Sequence, residues 1–421
     1  MLALLGVKMT RYVRQPEPSL IAPWGQGRPC IVSGVVSRGP RIAVIQHGDY
    51  AGAEQLLAAG EPEPYFGMGR SVQAIQDLTR HRPHLIVSLD APRYHLTCGG
   101  GVQIGLPLPR TARLIPATVP LLIRARTIGA LLRQFEPTHV LLRVSGLLGE
   151  VLLRRCVHQG IDTLVILADF FSPHGLRQRW ETRRFVTLLN APCVFLVGNH
   201  RLPATQSLVD SGVQAHKVVA YDFAPARNPA DYSEKELGTA QPRRLVYVGN
   251  MLAGKGVEEV VQATVLLSRR GVPVGLTLVG DGPEIQTLRH LAEGLPSGLV
   301  SFAGRIGNDR AFELMRRATM VCVPSRHSYP EGLPLTLTEA LASRTPVVVS
   351  DHPVMTRAFR DGEGVRFFPA GNAQALAQTI ESMLADAEGY RLLSRTTAAA
   401  YARVECKTLM PDVIARWSTR F

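Results

Sequence analysis

Residues 320–350, MVCVPSRHSYPEGLPLTLTEALASRTPVVVS, set two short apolar runs on either side of a loop and a helix-spaced stretch. Met320–Pro324 and Pro346–Ser350 carry no polar alternation, so they predict parallel strands covered on both faces. Between them Pro334 suits a first helical position, where its missing N–H costs nothing, and Leu337, Ala340 and Leu341 recur at helical spacing. A strand, loop, helix, strand unit constrains everything around it, because parallel strands need crossover connections and helices on their faces.

The same alternation runs along most of the chain. Buried strands are expected at Arg41–Gln46, His84–Leu89, His139–Val144, Thr163–Ala168, Cys193–Val197 and Val218–Tyr221. It restarts at Arg244–Gly249, Gly275–Gly280 and Leu299–Phe302. Helices fall between them: one capped by Ser71 with Val72, Ile75 and Leu78 inward, and one after Ser145 with Leu147, Leu148, Val151 and Leu152 on one face. The fold class is α/β, with two doubly wound Rossmann-like domains facing a cleft. A chain of 421 residues exceeds one ordinary core and suits two of about 150–200 residues. The expected division is a loosely ordered extension over 1–40, a first domain over 41–222, a Pro/Ala-rich linker over 223–242, a second domain over 243–400 and a helical tail over 401–421. Trp417 and Phe421 give that tail an apolar handle for packing back on the first domain.

Composition narrows the class of protein. Hydrophobic residues make up 46% of the chain, yet no run of about 18 of them exists to cross a bilayer. The opening MLALLG lacks a basic secretory leader, and Met9 offers a second start. The six cysteines are scattered without metal spacing, as expected of reduced thiols in a cytosol. Net charge is +13 and lopsided: residues 1–222 hold 24 Lys+Arg against 14 Asp+Glu, and residues 223–421 hold 23 against 20. Only five of the cations are lysines. Such a first half should meet an anionic partner: a phospholipid surface, a lipid-linked phosphate or an acidic glycan. Nucleic acid is not expected, for no aromatics interleave with the arginines as a base-stacking platform would require.

The loop around Gly332 aims backbone N–H groups and a helix N-terminus at one spot, which suits a phosphate. Glu331 and Glu339 repel a phosphate but accept hydrogen bonds from hydroxyls beside it, and phosphate flanked by two sets of hydroxyls describes a nucleotide sugar. The bland alternative, two surface glutamates of an ordinary helix, is common for single motifs. Lys255 follows the strand ending at Gly249 and precedes a helix with Val257, Val260 and Val261, a good position for neutralising a diphosphate. Gly280-Asp281-Gly282 ends another strand, but Ile285 stands where a dinucleotide fingerprint wants a third glycine. His327 reads as a brace for its loop more readily than as a titrating group. The chain has no Asp-x-Asp and no helical His pair, so no metal site is expected.

The string His-Ser-Tyr-Pro-Glu-Gly-Leu-Pro-Leu followed by Thr-Glu-Ala, with seven residues between the glutamates, resembles the donor site of the retaining family-4 glycosyltransferases of GT-B fold. The resemblance covers residues 244–400 and extends to the first domain only in outline. It implies an enzyme moving a sugar from a nucleotide-diphosphate sugar to a glycan or lipid-linked acceptor, without a cofactor or metal. Glu331 would hold the transferred sugar and Glu339 the ribose hydroxyls. Lys255 and the segment Gly332, Leu333 and Pro334 would face the diphosphate, with His327 nearby. Gly249, Asn250, Gly280, Asp281, Gly304, Arg305 and Ile306 would border the nucleotide. One departure stands out: Asn250 occupies the usual arginine position, with Arg326 or Arg305 as candidate replacements.

On the acceptor side the resemblance points to Gly67 and Gly69 as a glycine-rich loop and to Arg143, Ser145 and Asp169 near strand tips, the family's usual histidine being absent from that stretch. Asp169 reads more readily as a cap for the segment that follows it. Residues 176–185 (LRQRWETRRF) mix four arginines with Leu, Trp and Phe, which suits a solvated helix face or an anionic membrane surface. A cytoplasmic location follows, with peripheral attachment to the inner membrane face as its sharper form. Two other functions share this pattern: a GT-B nucleotide-sugar epimerase, and a non-catalytic sugar-nucleotide binding protein.

Overall fold

The computed structural model describes residues 39–421 except 62, 64–66, 108–117, 172, 174, 224–226, 240–241, 294 and 330. The expected loose extension therefore lies almost wholly outside the described residues.

Two sheets organise the chain. The first contains β1 (Ile42–His47), β2 (His84–Leu89), β3 (Tyr94–Cys98), β4 (Gly101–Leu106), β5 (His139–Arg143), β6 (Asp162–Leu167), β7 (Val194–His200) and β8 (Val218–Tyr221). Their order is β3-β4-β2-β1-β5-β6-β7-β8, parallel except for β3. The second contains β9 (Arg243–Val248), β10 (Val274–Val279), β11 (Val300–Gly304), β12 (Met320–Val323), β13 (Val347–Ser350) and β14 (Val365–Phe368). It is wholly parallel, in the order β11-β10-β9-β12-β13-β14.

Three strands escaped the sequence reading. β3 is an exposed edge strand whose hairpin turns at Gly99 and Gly100, both at positive φ (53° and 87°), as a two-residue loop requires. Such a half-exposed hairpin has none of the continuous apolar signal of a covered strand. β14 is four residues long and holds Arg366, which blurs it in the same way.

The first sheet is sandwiched between two helical layers. One face packs on α3 (Thr118–Phe135), α4 (Gly146–His158) and α5 (Gly175–Leu189). The other packs on α1 (Tyr50–Ala58), α2 (Met68–Thr79) and α14 (Met410–Ser418); α6 (Leu202–Asp210) lies between β7 and β8. Ser71 does not cap α2: the helix starts at Met68 after a left-handed Gly67, and Ser71 is buried one turn in. On α4 the inward residues are Leu148, Leu152, Leu153 and Cys156, while Leu147 is turned out at the helix start.

The second sheet carries α7 (Val257–Arg269) and α12 (Ala373–Ala385) on one face, and α9 (Asn308–Arg317) and α10 (Leu335–Ala342) on the other, with α8 (Ile285–Leu291), α11 (Pro353–Ala358) and α13 (Ala387–Ala402) completing it. The chain then returns to the first sheet. Trp417 of α14 is fully buried there, its indole N–H donating to Asp162 at 2.7 Å. The outgoing and returning segments meet where Asp222 N donates to Thr408 O and Met410 N to Asp222 O, both at 2.9 Å. Among the described residues Cys98, Cys156, Cys193, Cys322 and Cys406 are free thiols, and no helix is long and apolar enough to cross a membrane.

Candidate functional site

Each sheet has one place where strand order reverses, and in doubly wound folds ligands bind beyond the carboxyl ends of the strands there. In the second sheet that place is the gap between β9 and β12. Lys255, in the turn after β9, and Glu331, in the loop after β12, span it as an ion pair: Lys255 Nζ lies 2.8 and 2.6 Å from the two carboxylate oxygens. Ser325 Oγ donates to Glu331 Oε2 at 2.6 Å, and the ammonium sits 4.7 Å above the Tyr329 ring. Glu331 is only 3% exposed, so its charge depends on these partners.

The backbone here admits little variation. Gly256 is left-handed (φ +68°), and a Cβ would lie 2.1 Å from the Pro324 carbonyl oxygen. That close approach sets Lys255 beside the Ser325 loop. Helix α10 begins at Leu335, so Pro334 is its N-cap (φ −62°, ψ 133°), one position earlier than the sequence suggests. Its first-turn amides face the loop that carries Glu331, Gly332 and Leu333. Gly332 also meets the other domain, since a Cβ there would lie 3.1 Å from the Ala168 carbonyl oxygen after β6. The carboxyl ends of the two sheets thus face each other across this loop.

The turns bordering the site are stitched together. Gly249 N donates to Val279 O at 3.0 Å, Gly280 N to Gly304 O at 2.8 Å and Met251 N to Asp281 O at 2.8 Å. Asp281 Oδ1 accepts from Gly282 N at 2.8 Å, so this carboxylate braces its own turn. Arg305 is exposed and Ile306 half-buried beyond β11. Asn250 is exposed, and its carbonyl accepts the Tyr247 hydroxyl at 2.8 Å. Arg326 cannot stand in for an arginine there: Glu259 accepts its Nε at 2.6 Å and Glu258 lies 3.5 Å away, committing the guanidinium to α7. His327 Nε2 is 2.7 Å from Asp351 Oδ1, which in turn accepts from Ala370 N, a bracing arrangement.

Glu339 lies one turn into α10, half-buried, with Oε1 buried and without a hydrogen-bond partner. Burial pushes its carboxyl up to about 7, against the pull of Arg227 and Arg201. Arg201, held at φ +66°, pairs with Asp222 at 2.9 Å, so Glu339 looks toward the crossing point of the two domains. Among the described residues no group of three His, Cys, Asp or Glu side chains gathers as a metal site.

On the first domain the sequence-derived residues fare unevenly. Gly67 and Gly69 do not form an open anion loop: Glu63 accepts from the amides of Met68 and Gly69, both at 3.1 Å, and Gly67 packs on Phe223. The chain's own carboxylate already takes that helix start. Arg143 is buried and donates to Gln46 at 2.8 Å across the β1–β5 junction, where the first sheet reverses. Asp169 does not cap the next helix, which starts only at Gly175; burial raises its carboxyl above the ordinary value, against the pull of the Ser145 hydroxyl. Sequence reasoning missed His47, Asp90 and Arg124 altogether. His47 Nδ1 is 2.8 Å from Asp90 Oδ2, and Arg124 Nη2 donates to Asp90 Oδ1 at 2.8 Å. Long-range pairs of this kind leave no local spacing to find.

Residues 230–403 match the family of glycosyl transferases group 1. Over 111 residues the chain is 38% identical to a phosphatidyl-myo-inositol mannosyltransferase of Mycobacterium leprae, covering 26% of this chain and 29% of that protein. Over 146 residues it is 30% identical to an alpha-D-kanosaminyltransferase of Streptomyces kanamyceticus, covering 34% and 37%. The chain thus spans well under half the length of these relatives. Among solved structures, Anabaena Alr3699/HepE in complex with UDP-glucose superposes with a TM-score of 0.55 at 16% identity, over 91% of this chain and 99% of that one. Sucrose-phosphate synthase from Thermosynechococcus elongatus gives 0.57 at 17% identity, over 91% and 98%. The two facing sheets are the GT-B architecture, and the second of them, with the helices around it, is the part of the chain that matches the group 1 glycosyl transferases.

Proposed function

We propose that the protein is a retaining glycosyltransferase that moves a sugar from a nucleotide-diphosphate sugar to a glycan or lipid-linked acceptor, without a metal ion. The observation that carries the reading is the Lys255–Glu331–Ser325 cluster at the reversal point of the second sheet, beside the start of α10. Sugar hydroxyls donate to Glu331 and ribose hydroxyls to Glu339. As the bond from the anomeric carbon to the leaving phosphate oxygen breaks, Lys255 and the amides of Gly332 and Leu333 take the charge growing on the diphosphate. The acceptor hydroxyl attacks from the same face, and its proton passes to a donor phosphate oxygen. No side-chain base is then required.

The test starts from donor binding. Of the nucleotide sugars, UDP-glucose is the first to try, because Alr3699/HepE was crystallised with it. A ligand that binds only the folded chain raises its melting midpoint, so a screen finds the donor directly. Retention appears as an α-linked product from an α-linked donor by NMR; a β-linked product, or turnover lost in excess chelator and restored by Mg²⁺ or Mn²⁺, refutes that part of the reading. Conversion of the donor alone, with no acceptor, would make the chain an epimerase.

The acceptor reading extends to an anionic membrane surface. Helix α5 presents Leu176 and Trp180, 86% and 57% exposed, among Arg177, Arg179, Arg183 and Arg184. Glu181 engages Arg177, and Glu150 engages Arg184, whose guanidinium also stacks 4.3 Å from the Trp180 ring. Each basic residue near such a surface contributes about 1 kcal/mol. Co-sedimentation with anionic but not neutral liposomes, released by salt, is the expected result; indifference to both leaves a glycan acceptor in solution.

A further inference from the structure

The first sheet reverses its strand order between β1 and β5, and the last residue of β1 is His47. We propose that His47 is the acceptor-contacting residue of the first domain, accepting through Nε2 a hydrogen bond from the attacking hydroxyl of a neutral sugar acceptor. The proposal rests on the glycosyl-transfer reading above and adds the contact that reading leaves without a residue.

Three observations carry it. First, the ring is held in one tautomer. Asp90 lies 2.8 Å from Nδ1, and an ionised carboxylate only accepts, so Nδ1 bears the hydrogen and, in the neutral ring, the lone pair falls to Nε2. Burial favours the protonated Asp90 carboxyl, but the hydrogen bonds from His47 and Arg124 outweigh it and hold the group below its ordinary value.

Second, the support is built at a cost. Asp90 sits in the left-handed region at φ +63°, where a side chain is strained, and its amide is tied to Leu106 O at 2.9 Å. Arg124 reaches it from α3 while only 8% exposed, with Nε buried and unpaired. Placing a buried arginine behind a strained aspartate fixes an imidazole more firmly than packing alone would need.

Third, the location is on the acceptor side of the cleft. Asp169 and Ser145 follow the neighbouring strands β6 and β5, at the same edge of the sheet as His47, which ends β1. Ala168, beside Asp169, is the residue whose carbonyl meets Gly332 of the Glu331 loop. The histidine and the loop holding Glu331 therefore belong to opposing walls.

The chemistry asks little of the ring. The lone pair on Nε2 orients the hydroxyl and strengthens its oxygen as a nucleophile, while the proton goes to the donor phosphate oxygen. His47 ends the step neutral, as it began.

The experiment uses the full chain labelled at the histidine nitrogens and saturated with UDP. Methyl glycosides of glucose, galactose and mannose are added, and the His47 imidazole resonances, assigned by their loss in His47→Gln, are followed by NMR. One glycoside should move the Nε2 resonance. With UDP-glucose as donor, His47→Gln and Asp90→Asn should raise the KM for that glycoside about tenfold, the scale of one lost hydrogen bond, while UDP-glucose affinity is unchanged. Asn tolerates the left-handed backbone and its amide oxygen still accepts from Arg124, and the melting midpoint of Asp90→Asn checks that losing the charge beside this buried arginine leaves the chain folded. A chain that binds UDP-glucose while no glycoside moves the resonance overturns this proposal alone. So does a parallel loss of donor and acceptor affinity in both variants. A chain that takes up no nucleotide sugar overturns the transfer reading first, and this with it.

Discussion

The two sheets place polar residues at the same topological position, yet they build there by different means. At the reversal point of the second sheet, Lys255 and Glu331 each emerge from a short turn directly after a strand, and three hydrogen bonds close the cluster. At that of the first sheet, His47, Asp90 and Arg124 come from two strand ends and a distant helix, separated by 43 and 34 residues. The second cluster suits a ligand whose charge is fixed, such as a diphosphate. The first suits a hydroxyl, which needs orientation more than charge. One wall is thus built around a short chain motif and the other around the sheet itself.

The sharpest way to break this comparison is to remove the second cluster. Glu331→Gln should lower turnover about 100- to 1000-fold, the usual cost of losing a contact that matters most in the transition state, with UDP-glucose binding largely kept. Lys255→Met should do as much and also cost stability. It strands a carboxylate that is 3% exposed, and breaking a buried pair from one side costs about 3–5 kcal/mol. The double variant should regain the stability and none of the turnover. A Lys255→Met chain that melts like wild type would mean that the pair is not buried as described.

What was legible in the sequence follows the same division. All the parallel strands except β4 and β14 were visible as apolar runs, because burial on both faces removes alternation. Glu331, Gly332 and Glu339 were visible because one loop and one helix turn hold them. The β3–β4 hairpin was not, since β3 is an exposed edge. The Asp90 triad was not, since no property of position 47, 90 or 124 alone announces a partner. Pro334 was misplaced by one residue because the same φ serves an N-cap and a first helical position. Arg326 looked available only because the two acids that hold it lie far earlier in the chain.

A smaller effect should come from the point where the walls touch. Gly332→Val puts a branched side chain where even a Cβ lies 3.1 Å from the Ala168 carbonyl oxygen. The Val side chain should hold the two walls slightly apart, and misplacement on the ångström scale costs about tenfold to 100-fold in turnover. Melting should change little, because neither core is involved. Equal turnover in Gly332→Val would mean that the walls need not approach this closely during the reaction.

The smallest effect belongs to Glu339, and it depends on pH. Burial raises this carboxyl from 4.5 to about 7 in the folded chain, and the groups facing it are Arg227, Arg201, Asp222 and Asp309. An acid whose folded value is raised lends stability below its unfolded value and loses it as pH rises through the folded one. The wild-type midpoint should therefore fall, relative to Glu339→Gln, between pH 4.5 and about 7. Donor binding runs the other way. On the proposed donor contact, ribose hydroxyls donate to the ionised form, so binding must first remove a proton at low pH, and each unit of coupling is about tenfold in affinity. UDP-glucose, which has no phosphate group titrating in this range, should bind more weakly as pH falls below about 7, and Glu339→Gln should flatten that slope while weakening binding above it. Parallel pH profiles for the two proteins would take Glu339 out of the donor site and leave the ribose to another residue of the second wall.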